Sequence, residues 1–305
     1  MHPLEHLGLN CALLETSILR VLVSISAGPR ISWFGRVGQP NLMAELPDWL
    51  IPTSNGNFHL RGGHRLWCAP EEPNTTYLPD NTPLTLHEQS ERQVTVWQDI
   101  QVNGIQKGLS VQVLGENHLQ ITHHLTNHAP RAQTLAAWAI TMLRPDGFAI
   151  LPQTQDKADA HGLLPNRSLN LWAYSNINSP QLQLGNAFHL LQTNFPAGEI
   201  FKLGWQNPLG WMAYHWQDTL FVKHARWQKD AHYCDLNSNA ECFVRREFLE
   251  LETLSPLTTL ASGESLTHTE DWWLYDAVPC APNAESVQAM LKQLAQIGSF
   301  AGISQ

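Results

Sequence analysis

The feature that most narrows the fold of this chain is its punctuation. Short runs rich in β-branched and aromatic residues recur along almost its whole length, and each is stopped by a turn cluster. Ser17–Ser26 reads SILRVLVSIS and stops at Gly28-Pro29; Arg30–Phe34 starts again and stops at Gly35. Further segments follow at Glu91–Val96, Lys107–Leu114, His118–Thr126, Thr134–Met142, Leu169–Tyr174, Ala187–Gln192, Trp211–His215, Thr219–Ala225, Glu241–Leu254 and Ser265–Tyr275. Turns such as Gly115-Glu116-Asn117, Pro145-Asp146-Gly147 and Ala261-Ser262-Gly263 separate them. This pattern predicts an all-β fold, a sandwich or barrel of antiparallel sheets. One helical pattern stands out near the end, with Asn283 as its cap and Val287, Met290, Leu291, Leu294 and Ile297 on one stripe. It predicts a C-terminal helix that covers part of a sheet. No linker, low-complexity tract or repeat interrupts the chain, so one domain is expected over residues 1–305.

Charge and composition exclude several partners. The chain has 18 basic and 27 acidic residues, a net charge of −9, with no Lys/Arg cluster, which argues against nucleic acid or an anionic membrane. No apolar run reaches the roughly 18 residues a membrane helix needs. Met1–Leu9 carries two His and a Glu where an export signal would be basic and then apolar. Five scattered cysteines without C-x-x-C read as reduced thiols, and with the missing export signal they predict a cytoplasmic protein. The 12 tryptophans point to a ligand class. Indole faces match the C–H faces of sugar rings, although most such rings in a β protein simply fill the core.

Particular segments sharpen this. A strand entering Gly28-Pro29-Arg30-Ile31, followed by Asn41-Leu42, looks like the start of a galactose-mutarotase-like protein. Gly62-Gly63-His64-Arg65-Leu66-Trp67, with Tyr77-Leu78-Pro79-Asp80-Asn81 after it, resembles a bacterial branch of that superfamily. Phe248–Pro256 (FLELETLSP) is similar to the aldose 1-epimerase segment that carries the catalytic base, and Ser262-Gly263-Glu264-Ser265 resembles the turn that follows it. The motifs occur in the family's order across nearly the whole chain. The resemblance implies a large antiparallel β-sandwich holding a monosaccharide in a groove on its concave sheet.

Interconverting sugar anomers opens and closes a hemiacetal, which takes a base for the anomeric hydroxyl and an acid for the ring oxygen. No metal or organic cofactor is required. The resemblance makes Glu252 the candidate base. Strand alternation places Phe248, Glu250 and Glu252 on one face and Leu249 and Leu251 on the other, although acids so placed can simply face solvent. Arg65 is the candidate donor to sugar hydroxyls; its bland role is a salt bridge, for instance to Glu250. Trp67 and Trp138 are expected to flank the groove and one of them to stack on the ligand. His64 alternates with Arg65, so at most one of the two faces the site on a regular strand. His124 is a candidate ligand contact, and with His87 and His215 a candidate replacement acid. A replacement is needed because the family's His-Pro acid is missing: the path His124–His128 and then Ala136–Thr141 contains none. Ser179-Pro180-Gln181 stands where the family has an additional ligand-binding Asp. His123-His124 makes no metal pair, since adjacent strand residues point apart, and no P-loop, H-E-x-x-H, G-x-S-x-G or G-x-G-x-x-G occurs. Glycoside hydrolysis would need two opposed carboxylates, such as Glu71 with Glu252. Three readings stay open: a carbohydrate-binding protein on a mutarotase scaffold, an active epimerase or related isomerase or lyase with a relocated acid, and a structural or interaction domain without a sugar.

Overall fold

The computed structural model describes residues 4–296. Its chain folds into two large antiparallel sheets and a short two-stranded ribbon. The first sheet runs, edge to edge, through Leu4–His6, Leu9–Glu15, Leu19–Ser24, Arg30–Arg36, His64–Ala69, Gln133–Leu143, Phe248–Leu254, Ala240–Arg245, Ile200–Trp205 and Asn170–Leu171. Thr258–Leu260 pairs with the start of Gln133–Leu143. The second sheet runs through Leu182–Gln183, Phe188–Gln192, Phe148–Pro152, Trp211–Trp216, Thr219–Ala225, Ser265–Tyr275, His118–Asn127, Ile105–Gly115, Gln93–Trp97 and Thr85–Gln89. The ribbon is Glu45–Thr53 with Gly56–Gly62.

The sheets pack face to face. Val21, Phe34, Leu203, Leu249 and Leu251 of the first meet Val111, Ile121, Met212, Phe221 and Trp272 of the second in one buried cluster. Phe34, Phe221 and Trp272 contact one another edge to face at 5.2–5.3 Å, the arrangement that aligns a positive ring edge with a negative ring face. Each such side chain removed from water contributes about 1.5–3 kcal/mol.

Two segments differ from the expectation. Glu241–Leu254 is a hairpin, not one strand: Ala240–Arg245 and Phe248–Leu254 pair around a turn at Arg246-Glu247, two charged residues that have no place inside a covered strand. Leu169–Tyr174 pairs only at Asn170–Leu171, because the Ser175 N–H bonds back to the Trp172 carbonyl and closes a turn. The helix spans Ala284–Gln296, and the Asn283 side chain accepts the Ser286 N–H at 2.9 Å, which caps its N-terminus. Val287, Met290 and Leu294 bury against Phe148, Ile150, Leu190 and Val222 on the outer face of the second sheet. Ile297, expected on the same stripe, lies outside the described residues. All five cysteines are free. Among the described residues, no helix is long and apolar enough to cross a membrane.

Candidate functional site

Strand register assembles the site. Arg65, Ile140, Glu252 and Glu241 are successive partners across four neighbouring strands, so their side chains leave the first sheet on the same, outer face. Beside them lies the row Met142, Glu250, Phe243 and Lys202, and on the other side the row Trp67, Trp138 and Leu254. Arg65 and Glu252 sit two strands apart, about 10 Å at the backbone. Gly62 and Gly63 aim the first of these strands. Both have positive φ, 80° and 74°, and a Cβ on Gly63 would collide with the Ile31 carbonyl oxygen, so only glycine fits where the chain turns into His64.

The charged groups contact one another under a roof of rings. Arg65 Nη2 donates to Glu250 Oε1 at 2.8 Å, and its guanidinium lies 4.1 Å over the Trp67 ring. Glu252 Oε2 accepts two hydrogen bonds, from Trp138 Nε1 at 2.7 Å and from Lys202 Nζ at 3.0 Å. Lys202 is also 2.7 Å from Glu241 Oε2, and its ammonium lies 4.6 Å over both the Trp138 and the Trp172 rings. Trp67 meets Phe58, Tyr77 and Trp138 edge to face. Glu252 and Glu241 are fully buried and Arg65 is 3% exposed, whereas Trp172 and Tyr174 reach solvent.

Burial here sets the protonation. Taking Glu241 out of water raises its carboxyl well above the ordinary value, with Lys202 opposing and Glu252 adding to the rise. Burial also raises Glu250 against the pull of Arg65. Burial alone would lower Lys202, yet Glu252 and Glu241 together hold its ammonium well above the usual lysine range. Several polar atoms in this region are left without a hydrogen bond: Nε and Nη1 of Arg65, Oε1 of Glu241, Oε1 of Glu252 and the indole N–H of Trp227.

The histidines singled out in the sequence lie elsewhere. His64 points away from Arg65, as alternation requires, into the space between the sheets; there its Nε2 is 2.7 Å from His123 Nε2 and its Nδ1 is 3.0 Å from Thr141 Oγ1. His124 is on the second sheet, beside Ser110 and the Trp97 ring. His87 is exposed on that sheet's edge strand, and His215 bonds the Val278 carbonyl. None of these four joins Glu252, which corrects the expectation for His64 and His124: register puts the first on the inner face and the second on the other sheet.

His64, His123 and Glu270 present ligand atoms within 4.8 Å of one another. Their partners already account for every one of those atoms. His123 Nδ1 faces the His268 carbonyl and therefore carries the proton, so His123 accepts at Nε2, His64 donates there, and Thr141 donates to His64 Nδ1. Glu270 takes Trp272 Nε1 at 2.8 Å, the Thr253 hydroxyl, and the Lys223 ammonium at 2.8 Å. Two nitrogens on one tetrahedral zinc would stand about 3.3 Å apart, farther than this pair.

Open cavities of about 390 and 370 Å³ lie away from Glu252, one beside Asp146, His215 and Cys280 and the other beside Gln153, Arg167 and His189. The convergence of charge, rings and unsatisfied polar atoms marks the outer face of the first sheet as the candidate site; the volume of a cavity does not. Lys202, Glu241 and Trp172 were missed in the sequence. Glu241 did carry a signal: it shares a two-residue hairpin with Glu252, which fixes the register between them.

No protein-family model matches the chain, and no curated protein matches it. Among solved structures it is similar to a protein from Escherichia coli K12 provisionally described as an aldose 1-epimerase. The identity there is 14% and the TM-score 0.55, over 88% of this chain and 100% of that one. A galactose mutarotase-like protein from Lactobacillus casei is similar at 12% identity and a TM-score of 0.56, over 87% of this chain and 100% of that one. A TPR-domain containing protein from Parabacteroides distasonis aligns with 88% of this chain but only 47% of its own, at 11% identity and a TM-score of 0.58. Identities this low establish architecture, not chemistry. The chain therefore has the galactose-mutarotase-like fold, the antiparallel β-sandwich its sequence motifs implied.

Proposed function

We propose that the outer face of the first sheet binds a neutral aldose and interconverts its anomers, with Glu252 as the base. One observation carries this reading: buried donors on Arg65 and Trp227 and one buried oxygen, Oε1, of each of Glu241 and Glu252 lack partners on a face rich in Trp and Tyr rings. An unmet buried polar atom costs about 1–3 kcal/mol, and a polyhydroxylated ring supplies both kinds of partner at once. Trp172 and Tyr174, the partly exposed rings nearest Lys202, offer flat surface for a sugar's C–H face and must move to admit it to Glu252. Charge selects among sugars. Arg65 and Lys202 are already matched against Glu241, Glu250 and Glu252, so neither is a spare cation for a phosphate.

Polarimetry on freshly dissolved α-glucose and α-galactose tests the proposal. Wild type is expected to speed the approach to equilibrium, and Glu252→Gln to lose that effect. A second reading, binding without turnover, is favoured by the position of His64, His123, His124 and His268, none of which stands at this face. It is the better account if sugars raise the melting temperature but leave the rate of rotation unchanged. Neither response with any sugar at millimolar concentration would falsify both.

A further inference from the structure

The reaction proposed above needs a proton for the ring oxygen, and His64, His123, His124, His215 and His268 all have their partners away from Glu252. We infer that Glu241 is the proton donor of the Glu252 site, an inference that rests on the anomer-interconverting reading.

The argument begins with register. Glu241 and Glu252 are direct partners across the hairpin, and Lys202 Nζ stands 2.7 Å from one and 3.0 Å from the other, so their carboxyl groups are held side by side. Counting donors then says which one holds a proton. Glu252 accepts hydrogen bonds from Trp138 and Lys202, and Glu250 accepts one from Arg65. Glu241 is fully buried; its Oε2 shares the Lys202 ammonium with Glu252, at 2.7 Å, and its Oε1 has no hydrogen-bond partner. Three carboxyl groups face two cations, and the least-supported anion takes the proton that balances them. Burial pushes Glu241 in the same direction. Lys202 makes a poor donor, because the Glu252 carboxylate, which accepts from it at 3.0 Å, holds its ammonium charged against the lowering effect of burial; it is a positioning residue. The unpartnered Arg65 nitrogens, on a side chain 97% buried, mark a ligand place on the same face.

Side-by-side groups suit this chemistry, because the two oxygens that exchange protons are bonded to one carbon. Glu252 removes the proton from the anomeric hydroxyl, and the electron pair of that O–H bond forms the carbonyl. The bond between the anomeric carbon and the ring oxygen breaks, its pair goes to the ring oxygen, and Glu241 delivers the proton there. The open aldehyde turns about its C1–C2 bond. On closure, Glu241, now a carboxylate, takes the proton from the ring-forming hydroxyl, and Glu252 returns its own to the new anomeric oxygen. No other reactant is consumed.

The test compares wild type, Glu252→Gln, Glu241→Gln and Glu241→Asp by polarimetry on α-glucose and α-galactose from pH 5 to 9. Glu241→Gln is expected to lower kcat by about 10²–10⁴-fold with little change in KM and to remove the alkaline fall of kcat/KM. Glu241→Asp, which keeps a carboxyl, is expected to recover part of the rate and the alkaline limb. Infrared spectroscopy gives a readout independent of turnover. A protonated-carboxyl C=O stretch should be present in wild type at pH 7 and missing from Glu241→Gln. Wild-type rate and pH profile in Glu241→Gln, beside a dead Glu252→Gln, would overturn the inference while leaving the site reading intact. So would the absence of that infrared band in wild type. A wild type that accelerates neither sugar overturns the reading itself, and the inference with it.

Discussion

Lys202 is the residue on which the outer face depends most, since one ammonium contacts two buried carboxyl groups and lies between two indole rings. Replacing it with Met keeps much of its volume and removes the charge, which leaves Glu241 and Glu252 facing each other without a cation. Breaking a buried pair in this way costs about 3–5 kcal/mol, and chemical denaturation of Lys202→Met should read a loss of that order. A loss below about 1 kcal/mol would mean that water or the neighbouring rings hold the two acids apart. Arg65 is expected to behave differently. It has a single carboxylate partner, Glu250, and that ion pair is the bland role its sequence position also allowed. Its free Nε and Nη1 are what set it apart from an ordinary structural arginine.

The elements that place these residues are fixed by a few local devices. Gly62-Gly63 is the sharpest: Gly63→Ala must adopt positive φ and push into the Ile31 carbonyl, so a destabilisation of at least about 1–3 kcal/mol is expected, read as a lowered denaturation midpoint. The strands most legible in the sequence are those with clean alternation and a turn at each end, such as His118–Asn127 and Ser265–Tyr275. Phe148–Pro152 and Ile200–Trp205 were not legible. Both are buried on two faces, so the period-two pattern is lost, and the second carries Lys202 in its middle. That is also why half of the site escaped notice. That Glu250 and Glu252 share a face follows from alternation within one strand, but the meeting of Lys202 with Glu252, 50 residues away, depends on sheet order, which no local pattern records.

At the scale of the molecule, the two sheets are tied by a polar network as well as by apolar packing. His64, Thr141, Leu251 and Thr253 come from the first sheet, and His123, His268, Glu270 and Lys223 from the second. The bonds that cross are His64 to His123, Thr253 to His268 and to Glu270, and Lys223 to Thr141 and to the Leu251 carbonyl. Burial sets the titration of the three histidines. It lowers His64 well below the ordinary value, His123 to about 4 and His268 to about 3, with Lys223 adding to the fall and Glu270 opposing it. Folding therefore holds these rings neutral, while the unfolded chain protonates them near pH 6.5. Their contribution is fully present above that pH and is lost as pH falls from about 6.5 toward 4, at up to about 1.4 kcal/mol per pH unit for each ring. Lys223 holds Glu270 below the usual carboxylate range against the opposing effect of its burial. Its loss on acidification has the same sign but comes at lower pH, so the two effects separate along the pH axis. Urea denaturation of wild type at half-unit steps from pH 7 to 4 should show the rings' contribution falling below about pH 6.5, against an opposite contribution from Glu241 and Glu250, whose raised carboxyls take up protons first in the folded state. His123→Gln, which can still reach the His268 carbonyl, removes one titrating ring and should flatten the slope by about one ring's share. An unchanged slope in that variant would mean that the acid sensitivity of the sandwich arises elsewhere than in the seam between its sheets.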